Sequence, residues 1–534
     1  MIDDLTNPRW YAALAILAVS GCASVPSDLG RGDVNTLLAD RGQAVEAKTD
    51  ELLESLTETP LSSDSAVRIA LMNNPRLQAT YATLGFGAAD IYEAGRIRNP
   101  IISGAFLDSS AAGELDQITL GLVASFTDLI TLRARTRLSR GTFAALKQSV
   151  GAEVLTVAAE TERAYYQYVG TQQVAALRAQ IAKAGGLSAA LAQRFSDAGN
   201  LTPRELALER TAASAARLAA LDAEAAAFGA RTELAGMLGL SVGANWVAPA
   251  ALRLPIKTED ELSSLIALAK DARLDLAAAR TRADVLADQL GVVNWTRWLG
   301  ELDVGIERER ETDGVKLTGP TVDWEIPIFN QHKDLLLRAD AELQIAVYAV
   351  RETAIAVDNS VRLAYANLVN ARARIEEYRT GLIPQRIETV ARGQEEVNFM
   401  LIGIFELIAL KQDEYDAYQG YLETIRDYWL ARVDLSLATG AALPSNAQIR
   451  EERIDVQEFV QPVTGGMDHS GHGAMDVPSM DMEMDGQNEA PMDHSGHQPT
   501  DSSKPMDHSG HSMKKSDTAN EVDENEQHHE GGSQ

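Results

Sequence analysis

Cysteine occurs once in the 534 residues, at Cys22. No disulfide can close within the chain, and no Cys-based zinc or iron–sulfur site can be built from it. No stretch of eighteen or more apolar residues occurs, so a membrane-spanning helix is not expected anywhere. Aromatic residues make up only 5% of the chain, too few for a large aromatic core. Basic charge is scarce: 48 Lys+Arg stand against 77 Asp+Glu, a net of −29. That argues against nucleic acid as the main partner, because neutralising phosphates needs a basic face. What is abundant is Ala and Leu, which suits long helices packed closely in a coiled-coil manner.

Residues 10–19 read WYAALAILAV and are followed by Ser20-Gly21-Cys22-Ala23. Ten apolar residues are too few to cross a bilayer but suit the apolar core of a signal peptide. VSGCAS resembles a bacterial lipobox, in which the cysteine becomes the first mature residue and carries lipid. Ala23, in place of Asp, favours the outer membrane in such lipoproteins. Cys22 is therefore the expected lipidation site, the alternative being a structural Cys near a frayed terminus.

Between residues 64 and 440 the same order of elements occurs twice. An Ala/Leu-rich helical segment (64–98, then 259–299) precedes two strand-like runs, a very long helical segment, a turn and a second long helical segment. Landmarks recur at near-constant offset: Tyr166 and Tyr365 lie 199 apart, while Leu234 and Gly239 lie 201 residues before Leu435 and Gly440. This reads as duplication of a domain-sized unit. From Thr131 to Phe195 there is no proline, and Leu146, Val150, Val154, Val157, Leu177 and Ile181 recur at helical spacing. About 65 residues at 1.5 Å rise reach roughly 100 Å, a length that implies a coiled coil or helical tube. The counterpart, Gln331 to Asn398, is interrupted at Gly381…Pro384, and Gly185-Gly186 falls at the matching place of the first half.

The strand-like runs are PIISGAFLD (100–108) and QITLGLVASF (117–126), then ELDVGIERE (301–309) and VKLTGPTVDWEIPI (315–328). A transmembrane β-strand needs roughly 9–11 residues. Four strands cannot close a membrane barrel, whose smallest form has eight. If they enter a membrane, several chains must share one barrel; otherwise they are two hairpins capping a helical bundle.

The layout over roughly 60–440 resembles the TolC-type outer-membrane efflux factor family. LSSDSAVRIALMNNPRLQA (61–79) resembles the family's opening segment, and PIFNQHK (327–333) its strand-to-helix junction. RFSDAGNLTPRELALER (194–210) resembles the first hairpin tip. FMLIGIFELIALKQDEYDAYQGYLETIRDYWLAR (399–432) resembles the second, as in members associated with copper resistance. ASFTDLITLRAR (124–135) departs from the pattern, lacking the Pro and Gly usual at that junction. The resemblance implies a mainly α fold with a small β part. Duplicated coiled-coil hairpins would form a trimeric helical tube, and four strands per chain would contribute to a shared 12-stranded outer-membrane barrel. It further implies tips that meet a periplasmic adaptor protein joined to an inner-membrane pump. Phe195, Gly199, Thr202, Gly403 and Glu406 are the expected contact residues, with Gly199 and Gly403 permitting the tight turns and Glu205 and Glu406 in the first turn of the next helix.

The expected organisation is a signal peptide (1–21), a lipid-anchored linker (22–60), two repeats (61–250, with strands near 100–127 and a helical hairpin at 131–240; 251–440, with strands near 301–328 and a hairpin at 331–438), a linker (441–466) and a disordered tail (467–534). No catalytic constellation is present: there is no GxSxG or Walker A motif, and His332 is the only histidine before the tail. Asp197, Glu395, Glu396, Asp413 and Glu414 are candidates to line a lumen, or simply a solvated helical face.

The tail changes composition abruptly. Its 68 residues hold eight of nine histidines, eight of twelve methionines, 15 acidic and 3 basic residues, and no Leu, Ile, Phe, Tyr or Trp. Such a segment cannot bury a core. MDHSGH occurs three times, giving Met467, His469 and His472; Met492, His494 and His497; and Met506, His508 and His511. Met475, Met480, Met482, Met484 and Met513 lie between or beyond the repeats. Thioether sulfur with imidazole suits Cu(I), and by analogy Ag(I). The expected function is the channel subunit of a tripartite copper or silver efflux system. The alternatives are a general drug or solute efflux duct, or a pore-less periplasmic lipoprotein that sequesters copper.

Overall fold

The computed structural model describes residues 27–454, apart from 44, 47, 48, 111, 112 and 451. Cys22, the expected lipidation site, and Met467 to Met513, the expected metal-binding residues of the tail, lie outside the described residues. Two short helices open the described chain, α1 (Arg31–Ala39) and α2 (Asp50–Glu58). Three more follow, α3 (Ser63–Asn73), α4 (Pro75–Ala82) and α5 (Leu84–Ala94). Strands β1 (Ile101–Leu107) and β2 (Gln117–Ser125) lead into α6 (Phe126–Asp197) and α7 (Pro203–Met237). The second half repeats the order: α8 (Leu262–Ala272), α9 (Leu274–Thr296), β3 (Leu302–Arg310), β4 (Lys316–Trp324). Then come α10 (Lys333–Glu376), a π turn (Glu377–Leu382), α11 (Ile383–Asn398) and α12 (Ile404–Thr439).

Helix α6 runs unbroken for 72 residues, roughly 110 Å at the α-helical rise. It starts directly at the end of β2, which explains why segment 124–135 needs neither Pro nor Gly. It also passes straight through Gly185-Gly186, where an interruption was expected. Gly185 is buried, and a Cβ there would stand 3.5 Å from the Ala213 Cα and the Ala216 Cβ. The glycine lets α6 and α7 approach closely rather than breaking the helix. Only the second half is interrupted. Pro384 has no N–H to give to the preceding turn, and the backbone widens into the π turn just before it.

The two segments expected as linkers are packed where they are described. Val34 and Leu38 of α1 are fully buried in a cluster with Phe143, Val150 and Val154 of α6. Leu443 and Ile454 are also buried; Gln173 of α6 donates to the Ile454 carbonyl (3.0 Å) and accepts from the Leu252 N–H (3.3 Å). Apolar residues placed at helical spacing in a stretch otherwise rich in charge gave too weak a pattern to be read from sequence. The largest core surrounds Tyr166, which stacks on Trp429 at 5.2 Å, with Tyr428 edge-on to the same indole at 5.4 Å.

The strands form one antiparallel sheet in the order β1-β2-β3-β4. The two hairpins are joined through β2 and β3, from Ile118↔Arg310 to Ser125↔Asp303. The halves therefore share one sheet. Strands β1 and β4 are left as free edges, and Pro320 stands on one of them, where a missing donor is tolerated.

Candidate functional site: a two-faced sheet and paired helical tips

The register sorts the sheet's side chains onto two faces. One carries Ile102, Phe106, Ile118, Leu120, Leu122, Val304, Ile306, Val322 and Trp324. Ile102 is 79% and Val322 65% exposed, so among the described residues nothing covers this apolar surface. The other face carries Ser103, Thr119, Gln117, Thr321, Asp303, Glu307, Glu309 and Asp323. On β3 the polar-face residues are better covered than their apolar neighbours, as expected if the sheet curls around its polar side. All four acidic residues of the strands stand on that polar face. Gln117 donates to Glu309 across β2 and β3 (2.5 Å). Trp295, Trp298, Trp324 and Phe329 are exposed near the strand ends that join the helices.

At the opposite end of the long helices the two hairpin tips meet. Phe195 of α6 contacts Phe405 of α12 edge-on, with centroids 6.0 Å apart. Thr202 caps α7: its hydroxyl accepts from the Glu205 N–H (3.3 Å), while Glu205 accepts from the Thr202 N–H (2.9 Å) and hydroxyl (2.7 Å). These bonds hold the Glu205 carboxyl below its ordinary pKa. The second tip differs from expectation. Gly199 takes the left-handed backbone (φ 78), but Gly403 does not (φ −80, ψ 157); the left-handed residue there is Met400 (φ 58). Gly403 is the extended N-cap residue of α12, the counterpart of Thr202, and it supplies no side-chain cap. Glu406 lies in the first turn as expected. Phe399 is 76% and Met400 93% exposed, so the second tip is an apolar knob. Sequence reading missed Met400 and Phe405, whose signal was a run of large apolar residues placed in a turn.

The acidic candidates on the helices are mostly engaged. Glu414 is buried, accepting from Lys411 (2.8 Å) and the Tyr418 hydroxyl (2.8 Å). Asp413 pairs with Arg386 (2.9 Å), Glu395 with Arg392 (3.2 Å), and Asp197 accepts from Gln193 (2.7 Å). His332 is the left-handed residue that opens α10 (φ 51). A polar cavity of about 290 Å³ is lined by Asp64, Glu162, Tyr166, Arg253 and Arg432, among others. Burial, then the charge of Asp64, raises the Glu162 carboxyl to about 7, against the Tyr166 hydrogen bond and the two arginines. Among the described residues no three His, Cys, Asp or Glu side chains are grouped to hold a metal, and no helix is long and apolar enough to cross a membrane.

No family model matches the chain, and no curated protein matches it in sequence. Solved structures do share its fold. CusC, described as forming a transmembrane channel, superposes with a TM-score of 0.60 at 14% identity, over 71% of this chain and 92% of its own. The outer membrane protein VceC of Vibrio cholerae gives 0.60 at 16% identity, over 71% and 96%. The outer-membrane channel OprN gives 0.60 at 15% identity, over 79% and 97%. The fold is thus one known from outer-membrane channels.

Proposed function

We propose that this chain is the outer-membrane channel subunit of a tripartite efflux system for copper and, by the same chemistry, silver. The sheet carries the reading. A four-stranded sheet with one bare apolar face, one acidic face and two free edges is complete neither in water nor in lipid. Joining β1 of one chain to β4 of the next satisfies both edges. Three chains give 12 strands, with the apolar face toward lipid and the acidic face around a lumen. The 72-residue α6 and its partners then continue the barrel as a helical tube across the periplasm, anchored further by lipid on Cys22. The tips around Phe195, Gly199, Thr202, Gly403 and Glu406 face a periplasmic adaptor and, through it, an inner-membrane pump that supplies the energy.

The cargo is argued from two features. The Met/His repeats suit Cu(I), and four carboxylates per chain on the polar face of the sheet favour cations. A pore-less sequestering bundle would leave the apolar face of the sheet in water, which is unfavourable. A general solute duct needs no Met/His tail. The test is copper and silver tolerance of a strain lacking the gene, complemented by the full chain or by a chain ending at residue 466. Sensitivity restored fully only by the full chain supports a metal exporter whose tail matters. Unchanged tolerance throughout rules out copper and silver as the cargo.

A further inference from the structure

Charge on the sheet is segregated by sign. The strands contain seven charged residues. The four acidic ones, Asp303, Glu307, Glu309 and Asp323, share the polar face, and the three basic ones, Arg308, Arg310 and Lys316, stand on the apolar face. All three lie at the hairpin end of β3 and β4, away from the helices. Arg310 faces Lys316 directly, and Arg308 faces Thr318 two rungs closer to the helices. On the next strand, Arg310 is opposite Ile118 and Arg308 opposite Leu120. The cations thus sit within an apolar surface rather than a polar one.

Two like charges directly across a strand pair repel. Among the described residues no carboxylate forms an ion pair with any of the three. Arg310 donates twice to the Asp116 carbonyl (3.3 and 3.0 Å), which fixes its guanidinium without neutralising it. Of the acids in the neighbouring loops, Asp313 accepts from the Val315 N–H (2.8 Å) and Glu114 from the Ser109 hydroxyl (2.8 Å). The repulsion is left for an external anion to relieve. From the Leu302↔Trp324 rung to the Arg310↔Lys316 rung is eight residues, roughly 27 Å along the strand and about 19 Å across a membrane at 45° tilt. A cation on the lipid side of a barrel is costly at the midplane and nearly free of cost at the interface. The three therefore belong at the outer rim of the apolar band.

We propose that Arg308, Arg310 and Lys316 form a docking surface for the phosphates of a phosphorylated glycolipid in the outward leaflet. This rests on the reading that the sheet spans the outer membrane. Three cations within two rungs, about 7 Å apart along the strand, suit a headgroup with more than one phosphate better than a single phosphodiester. An apolar surface directly beneath them, including Leu120, Ile306 and Leu122, accepts the acyl chains.

The experiment uses the full chain purified from the outer-membrane fraction in mild detergent. Bound lipid is identified by native mass spectrometry and phosphate assay for the wild type, for R308Q/R310Q/K316Q, and for E307Q/E309Q on the opposite face as control. The wild type and the control should retain the phosphorylated glycolipid, and the triple variant several-fold less. Delipidated wild type should also take up diphosphorylated lipid A in preference to phosphatidylglycerol, and K316Q alone should weaken that uptake. Equal retention by wild type and triple variant, or a preference for phosphatidylglycerol, overturns the proposal while leaving the channel reading intact. Absence of the wild-type chain from the outer membrane overturns both.

Discussion

Gly199 and Met400 hold the same backbone position, 201 residues apart (400 − 199), each left-handed at the end of a long helix. The surrounding bonds repeat with the same offset. Asn200 N–H donates to the Phe195 carbonyl and Leu401 N–H to that of Glu396, at 2.8 and 2.9 Å. Both are the helix-ending motif that glycine serves best. Met400 adopts this conformation with a side chain, at a cost of about 1 kcal/mol.

Met400→Gly should therefore relieve strain at the second tip, by less than about 1 kcal/mol because glycine also loses more chain entropy on folding. Gly199→Ala should destabilise the first tip by about 1 kcal/mol. Amide hydrogen exchange of residues 195–201 and 396–402 reads both changes. Faster exchange at the second tip in Met400→Gly would show that the methionine is held by contacts outweighing its strain.

The duplication also repeats where the returning helices end, with different chemistry. Asn74 donates to the Met237 carbonyl (2.9 Å), and Asn73 to those of Leu238 and Gly239 (3.0 and 2.8 Å). In the second half Arg273, 199 residues beyond Asn74, donates to the carbonyls of Leu437 and Ala438 (3.1 and 3.3 Å). Each side chain closes the C-terminus of a helix that is followed within two residues by a left-handed glycine, Gly239 or Gly440. Arg273→Ala should cost about 1–2 kcal/mol, since a charged donor to two part-buried carbonyls is lost. Arg273→Asn should recover part of it if the two halves use the same cap. Denaturant midpoints of the three proteins decide this, and equal midpoints would refute the capping role.

These relationships show where the sequence could be read and where it could not. The offset of 201 was visible at Leu234 with Leu435 and at Gly239 with Gly440, because helix ends need a residue that tolerates positive φ. It was hidden at the tips because Gly403 looked like the partner of Gly199 when it is the partner of Thr202. A lone glycine does not reveal whether it serves as a left-handed turn or an extended N-cap. Three of the strands match the sequence reading to within a residue at each end, since alternating apolar and polar residues carry their own signal, while the fourth was read to residue 328 and ends at Trp324. The segregation of Asp303 from Arg308 was not noticed in one dimension, although a period of two implies it. The buried contacts of Val34, Leu38 and Ile454 depend on distant partners that no local pattern encodes.

Glu162 gives a pH prediction. Its carboxyl is raised from the ordinary 4.5 to about 7, so between those values the folded chain holds a proton that the unfolded chain has released. Stability contributed at this site is greatest at low pH and falls as pH rises through that window. Glu162→Gln keeps the shape and removes the titration. The variant should melt higher than the wild type at pH 8, with the difference shrinking toward pH 5. A difference constant across that range would mean Glu162 is ionised throughout, held by Arg253 and Arg432.

The last prediction concerns the polar face. If it lines a lumen, Asp303, Glu307, Glu309 and Asp323 place four carboxylates per chain around the pore with no basic side chain from the strands among them. Such a ring draws cations and repels anions, most strongly at low salt, where the Debye length of about 30 Å at 0.01 M exceeds the pore radius. The purified protein in a planar bilayer should show a reversal potential of cation-selective sign under a salt gradient. Neutralising the two β3 acids as E307Q/E309Q should move that potential toward zero without closing the channel. R308Q/R310Q, on the opposite face of the same strand, should leave it unchanged. The paired comparison separates a lumen from a lipid-facing surface, because two residues adjacent in sequence must then behave as though on opposite sides of a wall.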